Sequence, residues 1–254
     1  MHPILFKLGP LTIYTYGFMM ATAFITCYYI LIYEFKRLQA PPDFASNVVF
    51  WAAIGGIVGA KILYLVENLA YVIDDPIGMI FSGAGLVFHG GLIGGSLAVI
   101  ALIKYHHLPL RTYGDRIGPV LLIGQGIGRI GCFFAGCCHG KMCDLPWAMT
   151  FPHASPSAPY PVHPTQLYET LINFVLFFLL VKVIRPRLKI RGVTLAIYLI
   201  LAGCERFLLE FLRVNPKVAL GLSSAQYTSL VMIGLGIGLM VLFFRMDSAE
   251  IKPS

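Results

Sequence analysis

The chain has 254 residues, of which 57% are hydrophobic and 12% are charged, and its formal net charge is +7. A soluble globular protein carries about a quarter charged residues, so this composition excludes an ordinary water-soluble domain. The positive charge does not predict nucleic-acid binding, because the basic residues form no stripe interleaved with aromatic residues, and in a membrane protein topology is the first explanation of such charge.

Seven apolar runs follow one another along the chain, each long enough for a membrane-spanning helix. In lipid such runs must be helical, because no water is present to satisfy an open backbone. The sequence therefore predicts an all-α integral membrane protein, with residues 1–254 forming a single polytopic membrane domain. Glycine pairs in the runs, such as Gly55-Gly56 and Gly94-Gly95, predict close contacts between helices. The runs lie near residues 11–33, 47–66, 86–103, 117–135, 166–184, 192–212 and 224–244.

Charges in the connecting segments orient the runs. The segments after the first, third, fifth and seventh runs hold most of the lysines and arginines, and the alternate segments hold few. The positive-inside rule therefore predicts an N-terminus outside and a C-terminus in the cytoplasm. The longest outside loop, at about residues 136–165, is rich in proline, serine and histidine, and we expect it to lie over the membrane surface as a periplasmic or extracellular loop.

With this orientation, the polar residues inside the runs fall at one depth, in the outer half of the bilayer. Each charge at the centre of a span costs at least about 2.5–3.5 kcal/mol, so a group of them predicts a shared interior cavity. Arginine binds phosphate bidentately and histidine accepts a proton near neutral pH, so this cavity suits group transfer on a phospholipid. The residues are Tyr16, Lys61, His89, Arg129, His163, Glu205, Arg206, Glu210, Arg213 and Gln226.

Each of these residues also has a purely structural interpretation. Lys61 and Arg213 could extend their charges to the lipid headgroups. Arg206 and Glu210 are four residues apart and could form an ion pair within one helix. His89 could cap a helix. Tyr16 could belong to the aromatic belt at the membrane interface. His163, Tyr168 and Glu169 could merely hold the outer loop.

Four motifs occur in order along the chain. They are His-Gly-Gly-Leu at 89–92, a Gly-Arg-x-Gly frame from residue 128, His-Pro-Thr-Gln-Leu-Tyr-Glu at 163–169, and Arg-x-x-x-Glu-x-x-Arg at 206–213. Together with the opening of the chain up to Tyr16-Gly-Phe-Met, they resemble the bacterial prolipoprotein diacylglyceryl transferase family. The resemblance covers nearly the whole chain and implies seven spans in the orientation predicted above.

The resemblance implies an enzyme of lipoprotein biosynthesis. It would transfer the sn-1,2-diacylglyceryl group of phosphatidylglycerol to the lipobox cysteine thiol of a preprolipoprotein and release glycerol phosphate. Its location would be the bacterial inner (plasma) membrane, as a multi-pass protein, and its partners would be phosphatidylglycerol, the preprolipoprotein signal peptide and the bilayer, with no nucleic acid, metal or cofactor. The alternatives are a phospholipid-dependent transferase with another acceptor and a non-enzymatic phospholipid binder or flippase.

The resemblance assigns roles to residues by matching position. Arg129 and Arg206 would hold the headgroup phosphate and stabilise the departing glycerol phosphate. His89 would be the base that generates the substrate thiolate, since the thiolate is the nucleophile. Glu210 would orient Arg206. Further substrate-binding positions are expected at Tyr16, Gly90, Gly91, Gly140, His163, Gln166 and Glu169.

The chain departs from the usual family signature in its cysteines. Cys132, Ala135 and Cys137 stand where the family has two asparagines and a glutamate, which leaves the acceptor more open than the lipid donor. Four cysteines lie in this segment, namely Cys132, Cys137, Cys138 and Cys143. They allow three interpretations: a disulfide that braces the outer loop, small buried thiols, or a zinc site. Zinc is disfavoured because the spacing lacks the two-residue gap of a usual ligand pair.

Overall fold

A computed structural model of the protein describes residues 3–9, 11–81, 87–151 and 160–250. Most of these residues are helical, in agreement with the predicted all-α membrane protein. The central part of the predicted outer loop, residues 152–159, lies outside the described residues. The described helices are α1 (Thr15–Lys36), α2 (Phe44–Glu67), α3 (Leu69–Asp74), α4 (Pro76–Phe81), α5 (Phe88–Tyr105), α6 (Leu110–Ala135), α7 (Thr165–Phe178), α8 (Val193–Leu209) and α9 (Ser224–Glu250). A π-helical segment (Leu179–Ile184) and a 3-10 turn (Arg185–Arg187) continue α7, and a 3-10 turn (Glu210–Leu212) follows α8. The described strands are β1 (Ile4–Leu8), β2 (Leu11–Tyr14), β3 (Lys217–Ala219) and β4 (Leu222–Ser223).

Each predicted apolar run corresponds to a helix, although the helices differ in length. In the described parts of the chain, five are long and apolar enough to cross a membrane. Four of these are α1, α2, α6 and α9, and the fifth is α7 with its continuation to Arg187. The helices α5 and α8 are shorter, at 18 and 17 residues. The helical part of the sixth run ends at Leu209 because the chain tightens into the 3-10 turn that follows.

The first helix, α1, begins at Thr15, whereas the first apolar run begins near residue 11. Leu11–Tyr14 forms strand β2, which pairs antiparallel with β1 and places Lys7 opposite Thr12. Gly9, between the two strands, has a φ of +58°, a conformation that glycine adopts without steric cost. A four-residue apolar stretch fits a strand as well as a helix, so the sequence pattern could not place this boundary. The second hairpin, β3–β4, was not predicted either.

Two compact units divide the chain, and the smaller comprises residues 32–113. Within it, α2 and α5 pack against each other through glycines on both helices. A Cβ atom on Gly55 would lie 2.7 Å from the carbonyl oxygen of Gly94, and Gly59 and Gly90 meet in the same way. Since no side chain separates the two backbones, these glycines allow the close helix contact that the sequence predicts.

The larger unit comprises residues 1–31 and 114–254. Within it, Asp115 of α6 accepts hydrogen bonds from the backbone N–H groups of Gly192 and Leu195, at 2.6 and 2.8 Å. These bonds satisfy N–H groups that have no partner within the first turn of α8. The α8 helix also packs along α9.

The segment after α6 folds back onto the rest of the larger unit. Isolated β-bridges join Gly140 to Arg213, and both Met142 and Met149 to Val162. A Cβ atom on Gly140 would lie 2.6 Å from a backbone carbonyl oxygen, so the fold requires glycine at this position. Packing therefore accounts for Gly140, and its predicted role in substrate binding stays a prediction.

Candidate active site

Three arginines converge on one buried carboxylate. Glu169 lies in the second turn of α7 and is fully buried. The Nη1 atoms of Arg206 and Arg213 lie 3.0 and 3.1 Å from its Oε1 atom. The Nε atom of Arg129 contacts its Oε2 atom. A buried charge is stable only when it is paired and hydrogen-bonded, so this one carboxylate positions guanidinium groups from α6, from α8 and from the turn that follows α8.

A second carboxylate, Glu210, contacts two of the same arginines. Its Oε2 atom lies 3.0 Å from Nη2 of Arg206 and 3.8 Å from Nε of Arg213. Its Oε1 atom accepts hydrogen bonds from Nδ2 of Asn215 at 2.6 Å and from Oγ of Ser223 at 2.7 Å. The predicted contact between Glu210 and Arg206 is therefore present, and it is also the ion pair that a four-residue helical spacing allows.

The three arginines differ in how much of each side chain reaches the surface. The side chains of Arg129 and Arg206 are 19% and 21% exposed, whereas that of Arg213 is 8% exposed. Arg213 is thus enclosed by protein, and the interpretation in which it extends to the lipid headgroups is wrong. The three guanidinium groups share these two carboxylates, so this arginine cluster can bind an anion at the exposed parts of Arg129 and Arg206.

One face of α7 is polar and almost fully buried, and it anchors the segment after α6. Nε2 of Gln166 donates a hydrogen bond to the backbone carbonyl of Cys137 at 2.7 Å, and Oγ1 of Thr165 donates to that of Cys138 at 2.9 Å. The Gln166 amide, predicted to bind substrate, is thus engaged with the backbone. The residues of this face are each at most 1% exposed, and they are Thr165, Gln166, Glu169 and Asn173.

His163 contacts aromatic residues around the start of α7. Its Nδ1 atom lies 3.4 Å from the hydroxyl oxygen of Tyr168, and the same oxygen accepts a hydrogen bond from the indole N–H of Trp147 at 2.7 Å. These contacts fit the interpretation in which His163 holds the outer loop. A direct role of His163 in substrate binding stays a prediction.

Tyr16 lies in the first turn of α1, beside the part of α6 that carries Arg129. A Cβ atom on Gly131 would lie 3.3 Å from the Tyr16 ring. Tyr16 is 45% exposed and interacts electrostatically with Arg129. The structure therefore brings Tyr16 and Arg129 together, as the sequence predicts.

His89, Gly90 and Gly91 lie in the smaller unit, in the first turn of α5. His89 is half-buried. A Cβ atom on Gly90 would lie 2.6 Å from the Cβ atom of Leu63, and one on Gly91 would lie 3.3 Å from the carbonyl oxygen of Gly56. Helix packing accounts for both glycines without a substrate. Their predicted contact with substrate, and the role of His89 as a base, stay predictions.

The cysteines of the signature lie close together, and no disulfide joins them in the structure. All six cysteines of the chain are described, and each is a free thiol, so the disulfide considered from the sequence is not present. The sulfur atoms of Cys132, Cys137 and Cys138 lie within 4.8 Å of one another, and Cys143 is not among them. The sequence argument against a metal site considered only the number of residues between the cysteines, and it did not predict that three sulfur atoms lie this close together.

Some residues of the polar network belong to none of the sequence motifs. Nδ2 of Asn173 donates a hydrogen bond to Oε1 of Glu205 at 3.2 Å, and Asn215 and Ser223 bind Glu210. A polar residue in the middle of an apolar run, such as Asn173, is a signal that could have been used. Asn215 and Ser223 lie outside the apolar runs, so only the fold brings them to the carboxylate.

Comparison with known proteins gives consistent matches over the whole chain. The sequence model of the family described as prolipoprotein diacylglyceryl transferase matches residues 3–242, which include the whole arginine cluster. The chain is 37% identical over 240 residues to the phosphatidylglycerol–prolipoprotein diacylglyceryl transferase of Clostridium tetani, covering 93% of this chain and 96% of the relative. Proteins of the same name are 35% identical over 257 residues in a Nostoc species, covering 96% of this chain and 90% of the relative. In Pseudomonas paraeruginosa the identity is 36% over 267 residues, covering 99% and 97%.

Proposed function

This chain belongs to the prolipoprotein diacylglyceryl transferase family, and we propose that it transfers the diacylglyceryl group of phosphatidylglycerol to a cysteine thiol of a prolipoprotein. One structural observation supports this proposal above the others. Arg129 and Arg206 are partly exposed and are held in place by Glu169 and Glu210. A phosphodiester headgroup carries one negative charge, which the exposed parts of these two guanidinium groups can bind.

The reaction is a substitution at the sn-3 carbon of the glyceryl group. The thiolate of the lipobox cysteine attacks this carbon, a carbon–sulfur bond forms, and the bond between the carbon and the phosphate oxygen breaks. The electron pair of the broken bond leaves with glycerol phosphate, and the thiol proton passes to a base. The products are a thioether-linked diacylglyceryl peptide and glycerol phosphate.

Arg129 and Arg206 are proposed to bind the phosphate. Arg129 contacts Glu169 through Nε, so this ion pair does not occupy the fork formed by its two terminal nitrogens, which matches two phosphate oxygens. Negative charge on the glycerol phosphate grows as the carbon–oxygen bond breaks. Guanidinium groups already in position therefore stabilise the transition state more than the bound lipid, and this difference accelerates the reaction.

The other predicted residues take supporting roles in this proposal. His89 is the base that removes the thiol proton, and Tyr16 lines the substrate site beside Arg129. Glu169 and Glu210 act as positioning residues, because each is tied to the arginines rather than exposed to substrate. Gln166, Gly140 and His163 support the arginine cluster by fixing the segment after α6 and the start of α7.

We also propose the arrangement of the chain in the bilayer. The seven apolar helices cross a bacterial inner (plasma) membrane as one polytopic domain, with the N-terminus outside and the C-terminus in the cytoplasm. The excess of lysine and arginine in alternate connecting segments supports this orientation. It places the loop at 136–165 on the outer face, the side from which an exported prolipoprotein presents its lipobox.

The decisive experiment combines the purified chain with phosphatidylglycerol and a synthetic lipobox peptide, followed by mass measurement of the peptide. We expect a mass gain of one diacylglyceryl group, and no gain for a peptide with serine in place of the lipobox cysteine. Arg129→Ala and Arg206→Ala should abolish transfer although the protein still inserts. Arg191→Ala, which changes an exposed arginine outside the cluster, should transfer normally.

Other outcomes of the same experiment would contradict the proposal. Phosphatidylglycerol turnover without a change in peptide mass would indicate a different acceptor. Lipid that co-purifies with the protein but is not turned over would indicate a phospholipid binder or flippase. Near-normal transfer by both arginine-to-alanine variants would remove the headgroup assignment.

A further inference from the structure

Three thiols meet at the C-terminal end of α6. The Sγ atoms of Cys132, Cys137 and Cys138 lie within 4.8 Å of one another, and all three are free. Cys132 is buried, Cys138 is partly buried and Cys137 is exposed, so the group opens to the surface on one side. The proposed lipid transfer uses none of these sulfur atoms.

The backbone at the end of α6 creates this thiol cluster. Gly136 has a φ of +74°, and its N–H donates to the carbonyl of Phe133 at 3.1 Å. The N–H of Cys137 donates to the carbonyl of Cys132, also at 3.1 Å. These two hydrogen bonds define a Schellman motif, in which the residue after the glycine contacts the side chain five positions earlier. Here both residues of that contact are cysteines.

The third thiol is held in place as well. Cys138 has a φ of +65°, a left-handed conformation that costs a non-glycine residue about 1–3 kcal/mol. The carbonyls of Cys137 and Cys138 accept hydrogen bonds from the buried side chains of Gln166 and Thr165. Strain that surrounding groups maintain in this way is typical of positions prepared for a ligand.

We propose that Cys132, Cys137 and Cys138 form a binding site for one thiophilic d¹⁰ metal ion, Zn²⁺ or Cu⁺. Sulfur ligands select such ions over Mg²⁺ and Ca²⁺, which prefer oxygen. With metal–sulfur bonds of about 2.3 Å, the sulfur atoms of a tetrahedral site lie about 3.8 Å apart. The sulfur atoms are within 4.8 Å of one another, so each needs to move by at most about 1 Å. The exposed side of Cys137 leaves room for a fourth ligand from solvent.

The surrounding charges favour this ligand set. Three thiolates around Zn²⁺ leave one excess negative charge, and thiol protons are released to solvent on binding. Arg129 lies against the Cys132 thiol, and both Arg129 and Arg213 act electrostatically on Cys138. Because Cys132 follows Arg129 by three residues, an ion in the cluster would also fix the turn of α6 that carries this arginine.

Metal titration of the purified full chain tests the site directly. With its thiols reduced, the protein should bind one Zn²⁺ or one Cu⁺ per chain in competition with a chromophoric chelator. Co²⁺ should produce the intense near-ultraviolet absorption of cobalt–thiolate bonds. Serine in place of Cys132, Cys137 or Cys138 should weaken binding by more than about 100-fold, since losing only an outer-sphere partner costs about 10–100-fold. Cys143→Ser changes a cysteine of the same segment outside the cluster and should bind as the wild type does.

Several results would overturn the site. Failure of both ions to bind at one equivalent would do so, as would binding that survives combined serine substitution at Cys137 and Cys138. Thiol trapping in intact cells, by acid quenching and alkylation, is an independent measurement on the unmodified chain. We expect all three cysteines to be alkylated. A disulfide between any two of them would mean that the cluster is oxidised in the cell and is not a metal site.

Discussion

Replacing Glu169 with glutamine should damage both folding and transfer. Glutamine has nearly the same shape as glutamate but no charge, and Glu169 is fully buried and ion-paired with Arg129, Arg206 and Arg213. After the substitution, Glu210 is the remaining carboxylate of the arginine cluster. The substitution therefore makes the charge of the cluster more positive by one unit, in a part of the protein that is largely closed to water.

The size of the effect follows from these ion pairs. Breaking a buried ion pair by removing one partner costs about 3–5 kcal/mol. Arg213 accounts for most of this cost, because it is 8% exposed and cannot turn to solvent. For a chain of this size, 1 kcal/mol changes the Tm by about 2–4 °C, so we expect the Tm to fall by about 6–20 °C. Transfer should fall by about 100-fold, since a displacement of about 1 Å at a reacting site has that effect.

Glu205→Gln is the matched control. Glu205 is also a buried carboxylate and is the neighbour of Arg206 in α8. It acts on Arg129 and Arg206 electrostatically rather than through an ion pair. Its hydrogen bond comes from Asn173, and an amide oxygen can accept the same bond. The control should lose about 1 kcal/mol or less, which is a few degrees in Tm. Tm is measured by intrinsic fluorescence in detergent, and transfer by the mass of the lipobox peptide. Equal Tm values and equal rates for the two glutamine variants would refute the positioning role of Glu169.

Three further substitutions separate the proposed roles. Arg129→Lys should lower transfer about 100-fold or more in a protein that still inserts, because lysine is a point charge and cannot make a bidentate contact; wild-type transfer rates would argue against that contact. His89→Gln should lower turnover more than it lowers the amount of co-purified phosphatidylglycerol, whereas equal loss of both would indicate a structural histidine. Gly140→Ala should cost about 1–3 kcal/mol, measured as a lower Tm, because its Cβ would lie 2.6 Å from the carbonyl oxygen of Leu212. Gly234→Ala, whose Cβ would meet no described atom within 4 Å, should melt at or above the wild-type temperature, and matching losses in the two alanine variants would contradict the packing argument.

The helices could be predicted because lipid leaves a long apolar run with one stable conformation. The same reasoning fails over short stretches, and Leu11–Tyr14 shows why. A four-residue stretch with mostly apolar side chains fits a hairpin as well as a helical turn, and the choice depends on pairing with β1. Close helix contacts at Gly55 and Gly94 could be predicted, because glycines in apolar runs allow two helix backbones to approach. The pairing of α2 with α5 could not be predicted from them. In contrast, Gly234 also lies in an apolar run, but no described atom lies within 4 Å of the Cβ position it lacks.

The members of the arginine cluster and the pairing of Glu210 with Arg206 could be predicted, but the position of Glu169 among all three arginines could not. Depth in the bilayer singled out Arg129, Arg206 and Glu210 from the sequence, and the family resemblance added Glu169. That Glu169 is the common partner depends on how each helix is rotated about its axis. A helix that is apolar on nearly every face gives little indication of that rotation. For this reason Arg213 remained ambiguous until its burial was known.

The thiol cluster had a signal in the sequence that spacing alone did not use. Gly136 comes directly after the last residue of α6, where glycine often ends a helix in a left-handed conformation. That ending brings the next residue, Cys137, against Cys132. The usual spacing rule for metal ligands assumes that two cysteines flank a turn of one standard shape. It therefore did not identify the helix-ending turn at Gly136.

Glu169 lies between its arginine partners in the sequence, and this order bears on how a chain made from its N-terminus enters the membrane. The α6 helix, with Arg129, is made first, so the carboxylate of α7 meets an opposite charge as soon as it arrives. The α8 helix follows and carries Arg206 in its last turn, where the insertion cost of an arginine is at most the roughly 2.5–3.5 kcal/mol of the centre of a span. A carboxylate already embedded beside the incoming helix offsets part of that cost. The alternation of base, acid and base along the chain thus lets each charge be neutralised in the order in which it is synthesised.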